Sequence, residues 1–532
     1  MEDLNPTFTL EKEKAQDLKL IRPGEVRVRI APSPTGPLHI GTARTALFNY
    51  LFAKKYKGSF ILRIEDTDPV RSSREWEKDI MEGLKWLGIE WQEGPDLGGK
   101  YGPYRQSERK EIYRKYIRQL INEKKIYFCF CSQEELEAHR QYLMSIGQPP
   151  RYSGKCRDLS EKEVKKNLEA NKPFVLRFKT PTKKVVFEDM LRGKITQDSE
   201  TFGDIVVAKD LSTPLYNLAC VIDDYEMKIT HVIRGEDHIP NTPKQILLAE
   251  ALGFKKPKYL HLPLILGQDR AKLSSRHGAK SVLEYKKDGY LPETMINFLA
   301  FLGWNPGDRR EIFSINSLIQ EFSLERIQKS GAVFNPQKLD WINGFYIRQK
   351  SPEKLTELCL PYLIEAGLIE PYFDTETYPP AYGGKILTQK FKVKETGEEI
   401  SFEYLKKVVT LYQERLKKLS EISSLTDFFF KKELKYEKDL LKWKDMTNKE
   451  LAQSLDNLKK ILSRIKDEEW QKGNLEKILL AEAIKVGDRG KILWPLRVAL
   501  TGKEASAGPF EIAEILGKEK CLERLKQARK KV

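Results

Sequence analysis

The scarcities of this chain exclude several classes at once. Six cysteines in 532 residues are too few for a disulfide framework. No run of eighteen apolar residues occurs, so no membrane span is expected. The opening MEDLNPTFTLEKEKAQDLKL is too charged for a signal peptide and too acidic for a transit peptide, and a cytoplasmic protein is expected. Every Gly-Lys pair is followed by something other than Ser or Thr. The GxxxxGK(S/T) loop is therefore missing, and a P-loop NTPase is excluded. No internal repeat is found.

What is present is long, charged and basic. A chain of this length exceeds one core and predicts roughly three to five domains. With 40% apolar and 32% charged residues it reads as soluble, and its net charge of +16 fits a polyanionic partner or anionic substrates. A Lys-rich proteome is the competing explanation of that charge.

The front half alternates strands and helices. VRVRI (26–30) and SFILRI (59–64) read as strands flanking APSPTGPLHI and a helix from Thr42 to Tyr56. DIVVAK (204–209), ITHVIR (229–234) and YLHLPLIL (259–266) read as further buried strands, with a helix over 242–252. This is the grammar of a parallel sheet covered by helices. After about Leu291 the period becomes helical, with 371–400 reading as an insertion or linker because of its Pro-Pro and Gly-Gly pairs.

Three stretches carry candidate chemistry. His39, Gly41 and Thr42 open the first helix, whose free N–H groups and dipole favour phosphate; a plain helix cap is the other reading of His39. Arg29, Glu65 and Arg234 lie at strand C-termini, where ligands of open parallel sheets bind. Two arginines and a carboxylate suit an amino acid, or else form a structural ion-pair network. The loop RAKLSSRHG (270–278) combines three cations with two serines and reads as an anion holder or a solvated turn.

Together PSPTGPLHIG, RIEDTD, GPDLGGKYGPYRQSER, AKLSSRHG, NFLAFLGWNP, LDWINGFYIR and the ending PLRVALTG…ILGKEKCLERL resemble the glutamyl-tRNA synthetases, class I aminoacyl-tRNA synthetases, over nearly the whole chain after Gly24. The resemblance implies an α/β Rossmann-like (HUP-type) catalytic domain with an inserted acceptor-binding domain, then an all-α anticodon-binding region. The boundaries expected are 1–24 extension, 25–108 and 215–265 for the two Rossmann halves, and 109–214 for the insert. They continue with 266–350 for the catalytic loop and stem-contact domain, then 351–440 and 441–532 for two helical anticodon-binding domains.

The implied reaction is ATP-dependent activation of L-glutamate, with Mg2+, and transfer to the terminal adenosine of tRNA(Glu), the first step waiting for tRNA. Charging of tRNA(Gln) as well, or a catalytically impaired tRNA-binding relative, remain open. A monomer is expected. The glutamate contacts carry over to Arg29, Ala31, Ser33, Glu65, Tyr216 and Arg234, with Cys220 standing where some relatives have Asn. The ATP contacts carry over to His39, Gly41, Lys272, Leu273 and Ser275, and the catalytic roles to His39, Gly41, Thr42, Lys272, Ser274, Ser275 and Arg276. Ser275 occupies a catalytic lysine position, and Lys272 and Arg276 are expected to share that role. Losing one preorganised donor costs about 3 to 4 kcal/mol, so a substitute cation is needed.

YFCFC and RYSGKC place Cys129, Cys131 and Cys156 in a spacing similar to the structural zinc module of some members. The fourth ligand is either Tyr152, four residues before Cys156, or Asp158, two after it. Three reduced thiols without metal are the competing reading.

Overall fold

The computed structural model describes residues 22–68, 70–273, 280–372 and 390–532. These form two compact units: residues up to Lys286 with Pro292–Pro336, and Lys287–Leu291 with Gln337–Val532.

The first unit is built on parallel strands β1 (Arg27–Ile30) and β2 (Ser59–Leu62), joined through the helix Ile40–Lys55. The crossover is tight at Gly58, where a Cβ would lie 2.2 Å from the Val26 carbonyl oxygen. Val28, Phe60, Ile61, Ala46 and Leu47 are wholly buried between strands and helix, and each of these side chains larger than alanine contributes on the order of 1.5–3 kcal/mol.

Between the two Rossmann halves come β3 (Ile126–Cys129), β4 (Val175–Phe178) and β7 (Val206–Ala208), which make a separate antiparallel sheet. The hairpin β5 (Lys184–Asp189) and β6 (Gly193–Asp198) behaves differently. Its β5 strand pairs in parallel with β9 (Lys258–Leu262), which pairs in parallel with β8 (His231–Gly235). The hairpin thus extends the main sheet at Asp189. At the other side, Thr230 N donates to Arg27 O at 2.9 Å and brings β8 beside β1.

The expected strand 259–266 is two strands. Pro263 has no N–H to give a ladder, and Ile265–Leu266 leaves to pair with Ala332–Val333. The helix Tyr216–Glu226 ends in two adjacent buried carboxylates, Asp223 and Asp224. Asp223 accepts from Gln106 Nε2 (2.8 Å), Arg109 Nε (2.7 Å) and Tyr113 Oη (2.9 Å). The stretch YRQSER is therefore an anchor for this carboxylate, and none of its residues lines the cavity described below.

The second unit is helical around one core that includes Leu355, Leu405, Tyr412, Leu455, Leu479, Leu496 and Leu525. Its helix Asn448–Arg464 begins with a Thr447–Glu450 capping box. The region read as an insertion or linker is bounded by strands: Ile369–Tyr372, Lys390–Val393 and Glu399–Ser401 form an antiparallel sheet. KFKV alternates, and Phe391 and Val393 are buried, so the period-2 pattern outweighs the linker-like composition beside it. The run FEYLKKVVTLYQERLKKLSEI is likewise broken, into helices Phe402–Tyr412 and Glu421–Thr426.

Asp223→Ala should strand Arg109, Gln106 and Tyr113 and destabilise the first unit by about 3 kcal/mol or more. The check is its urea midpoint, with the transition of the second unit unchanged.

Candidate functional site

A cavity of about 960 Å3 opens at the C-terminal ends of β1, β2 and β8. Arg29, Ala31, Ser33, Glu65, Tyr216 and Arg234 all line it, and so do His39, Gly41, Thr42, Lys272 and Leu273. Residues from five separate stretches therefore converge on one space. Ser274, Ser275 and Arg276 lie outside the described residues. Their neighbours Leu273 and Lys280 both line the cavity.

One wall is cationic and rigid. Arg29 gives Nε and Nη2 to the two oxygens of Asp224 at 3.0 and 3.4 Å. Arg63, fully buried, donates Nη1 to Asp224 at 2.7 Å and Nη2 to Glu65 at 2.9 Å. Burial by itself would raise the Asp224 pKa, but Arg29 and Arg63 outweigh it and hold the carboxyl at about 2. For Glu65 the balance tips the other way, with burial raising its pKa against the pull of Arg63. Arg234 reaches the cavity from β8, with Nη1 buried and without a partner among the described residues. Tyr216 Oη lies 2.9 Å from His238 Nδ1. Burial, then Arg234, takes His238 down to about 4, so its ring is neutral at pH 7.

Cys220 is not a lining residue. It is buried behind the wall, its thiol 3.6 Å from Asp224 Oδ2 and from Arg63 Nη2. Burial pushes that thiol up to about 12, so it packs as a neutral donor.

The other wall is the helix start. His39 is its N-cap: Nδ1 accepts from Thr42 N at 3.2 Å, and Nε2 lies 3.0 Å from Thr42 Oγ1. A Cβ at position 41 would stand 3.0 Å from His39 Nδ1, so Gly41 gives the His39 ring its place against the helix. Capping and cavity lining are thus both true of His39. Lys272 Nζ is 3.7 Å from Asp237 Oδ2. Glu236, at the same strand end, is turned away from the ligand space, since it accepts from Leu264 N at 2.7 Å and pairs with Arg192. Arg270 stands exposed in a turn at φ 62.

Away from the cavity, the Sγ atoms of Cys129, Cys131 and Cys156 lie within 4.8 Å of one another. Only Cys129 is in β3; Cys131 follows the strand, and the chain turn rather than strand alternation aims both thiols together. Tyr152 Oη lies 3.4 Å from the sulfurs of Cys129 and Cys131 and accepts from Cys156 N at 2.9 Å. Asp158 is 81% exposed and pairs with Lys179 at 3.1 Å.

Arg63, Asp224, His238, His261 and Asp189 were not singled out from sequence. Two charges ending the apolar run LACVIDD were the available signal for Asp224, because a buried carboxylate requires partners.

Residues 25–341 match the family described as "tRNA synthetases class I (E and Q), catalytic domain", and residues 354–529 match "Anticodon binding domain". Glutamate--tRNA ligase 1 of Caldicellulosiruptor saccharolyticus is 49% identical over 94% of this chain and 98% of its own length. Glutamate--tRNA ligase of Carboxydothermus hydrogenoformans is 46% identical over 92% and 97%. A crystal structure of a glutamate tRNA ligase from Elizabethkingia meningosepticum in complex with its amino acid superposes with TM-score 0.80 at 35% identity, covering 95% of this chain and 99% of that one.

The depressed Asp224 carboxyl stabilises the fold fully above the ordinary carboxylate range of about 3.9, and that contribution is lost as pH falls toward its folded value. Asp224→Asn should therefore lower the stability of the first unit at pH 7 by at least about 2 kcal/mol. The gap from wild type should narrow between about pH 4 and pH 2, measured by urea unfolding at each pH.

Proposed function

The chain belongs to the glutamate–tRNA ligases of class I, and from that premise we propose how its side chains divide the reaction. The enzyme joins glutamate to tRNA at the expense of ATP. We assign the substrate carboxylates to Arg29 and Arg234, the ammonium group to Glu65, and tRNA(Glu) as acceptor. The observation that carries this is the pair of arginines whose Nε and Nη2 are fixed by the protein, while Nη1 of Arg234 is buried and without a partner among the described residues. Ala31, Ser33 and Tyr216 complete the glutamate side.

ATP lies, in this reading, on the helix start, with His39, Gly41 and Thr42 toward its phosphates and Lys272 and Leu273 opposite. The α-carboxylate of glutamate is ionised at neutral pH, its reference pKa being about 3.5, so attack on the α-phosphorus needs no general base. The new C–O–P linkage forms as the bond to pyrophosphate breaks. Alignment and stabilisation of the departing charge carry the rate. Lys272 with Arg276 and Ser274 serve the departing pyrophosphate, with Ser275 in the place of a lysine. Mg2+ accompanying ATP neutralises phosphate charge. In the second step a ribose hydroxyl of the tRNA attacks the mixed anhydride and AMP leaves. Glutamine, lacking the second carboxylate, would leave an arginine unpaired, which a buried site penalises strongly.

We also assign structural zinc to Cys129, Cys131 and Cys156, with Tyr152 as fourth ligand. Four convergent donors suit zinc, and the ion pair of Asp158 with Lys179 supports Tyr152 over Asp158. Zinc there ties the end of β3 to the 152–156 turn. A monomer and a cytoplasmic location complete this reading.

ATP-dependent charging of purified tRNA(Glu) with labelled glutamate tests the reading; no charging at saturating tRNA rejects it. Arg276→Ala should slow adenylate formation about 100-fold, and an unchanged rate would remove Arg276 from the step. Elemental analysis should find about one zinc per chain, lost in Cys156→Ser, reduced in Tyr152→Phe and kept in Asp158→Ala.

A further inference from the structure

The hairpin β5–β6 meets β9, behind the cavity wall, at Asp189. Asp189, wholly buried at the end of β5, has every acceptor position filled. Its Oδ1 accepts from Leu191 N (3.0 Å) and Arg192 N (2.8 Å), which closes the hairpin turn. Its Oδ2 accepts from His261 N (3.0 Å) and lies 2.7 Å from His261 Nδ1. The carboxylate therefore does two things at once, shaping the turn and setting the imidazole.

His261 in β9 is wholly buried too. Burial lowers its pKa against the raising pull of the Asp189 carboxylate, and Arg234 lowers it further, so the balance favours the neutral ring. With its proton on Nδ1 facing Asp189, Nε2 is an acceptor. It accepts from Arg234 Nε at 3.2 Å and lies 3.0 Å from Thr242 Oγ1, which itself accepts from Arg234 Nη2 at 2.7 Å. Two of the three guanidinium nitrogens are thus anchored. The planar fork then leaves Nη1 no choice of direction. A cationic imidazole would withdraw the acceptor and set a second positive charge against Arg234.

We infer that Asp189 and His261 are positioning residues that aim Arg234 Nη1 at the substrate carboxylate, and that the seating of the β5–β6 hairpin thereby governs glutamate affinity. This rests on the reading of Arg234 as a carboxylate-binding residue. The hairpin lies within the segment inserted between the two halves of the sheet, so an inserted element takes part in amino-acid recognition without touching the amino acid. Asp189 and His261 act only through Arg234.

The test uses the full-length chain charging tRNA(Glu), with glutamate and ATP varied separately. His261→Leu should raise the glutamate KM about 30-fold, with the ATP KM and kcat within about threefold of wild type. His261→Gln, whose Oε1 can occupy the place of Nε2, should recover to within about fivefold. Asp189→Asn, which releases the choice of tautomer, should raise the glutamate KM about fivefold. A glutamate KM that stays within about threefold in His261→Leu overturns the proposal, and so does a loss confined to kcat or a Gln variant no better than Leu. If His261→Leu does not fold, Asp189→Asn decides by the same split, and an unchanged glutamate KM rejects the inference. Arg234→Lys separates the two layers: a normal glutamate KM there refutes the role of Arg234 itself, whereas a raised one beside a normal His261→Leu refutes only the positioning pair.

Discussion

Two adjacent buried carboxylates, Asp223 and Asp224, set the constraint on which the first unit depends. A buried charge is tolerated only where partners surround it, and removing one partner is expensive. Asp223 gathers Gln106, Arg109 and Tyr113, while Asp224 gathers Arg29 and Arg63. Successive positions on one helix therefore point at two different sets of donors. One set ties the segment 101–113 to the sheet, and the other builds the cavity wall.

The consequence for the chemistry is preorganisation. Arg29 is locked by Asp224, Glu65 by Arg63, and Arg234 by His261 and Thr242. None of these side chains needs to be ordered when an amino acid arrives, so little binding free energy is lost to freezing rotamers. A reaction whose nucleophile is already ionised asks for little else besides alignment and phosphate stabilisation. On the proposed assignment, the second carboxylate of the substrate meets a donor that has no other partner among the described residues, which would select against an uncharged analogue.

Much of this was legible before any coordinates. The β–loop–α–β start, the helix at Thr242 and the convergence of Arg29, Glu65, Arg234 and His39 follow from pattern and punctuation, while the cysteine set follows from the family resemblance. Other features were not. Glu236 stands at a strand end like Asp237 yet is held by Leu264 N and Arg192, and no local pattern separates the two. Asp158 matches a ligand spacing as well as Tyr152 does, but Lys179, twenty-one residues away, takes it. KFKV is too short a signal to stand against the prolines and glycines that precede it, until its partners Ile369 and Ile400 are counted.

What the sequence by itself determined is the class of chemistry and the elements that present it, because periodicity, helix starts and motif spacing are local properties of the chain. What only the tertiary structure decided is which charges work on the ligand and which work on each other. Asp224 and Arg29 lie 195 residues apart, and Asp189 and His261 lie 72 apart. An isolated Asp, His or Arg in a sequence carries no record of its partner. Burial removes water as an alternative, and the pairing then follows from whichever donors the fold brings within hydrogen-bond reach.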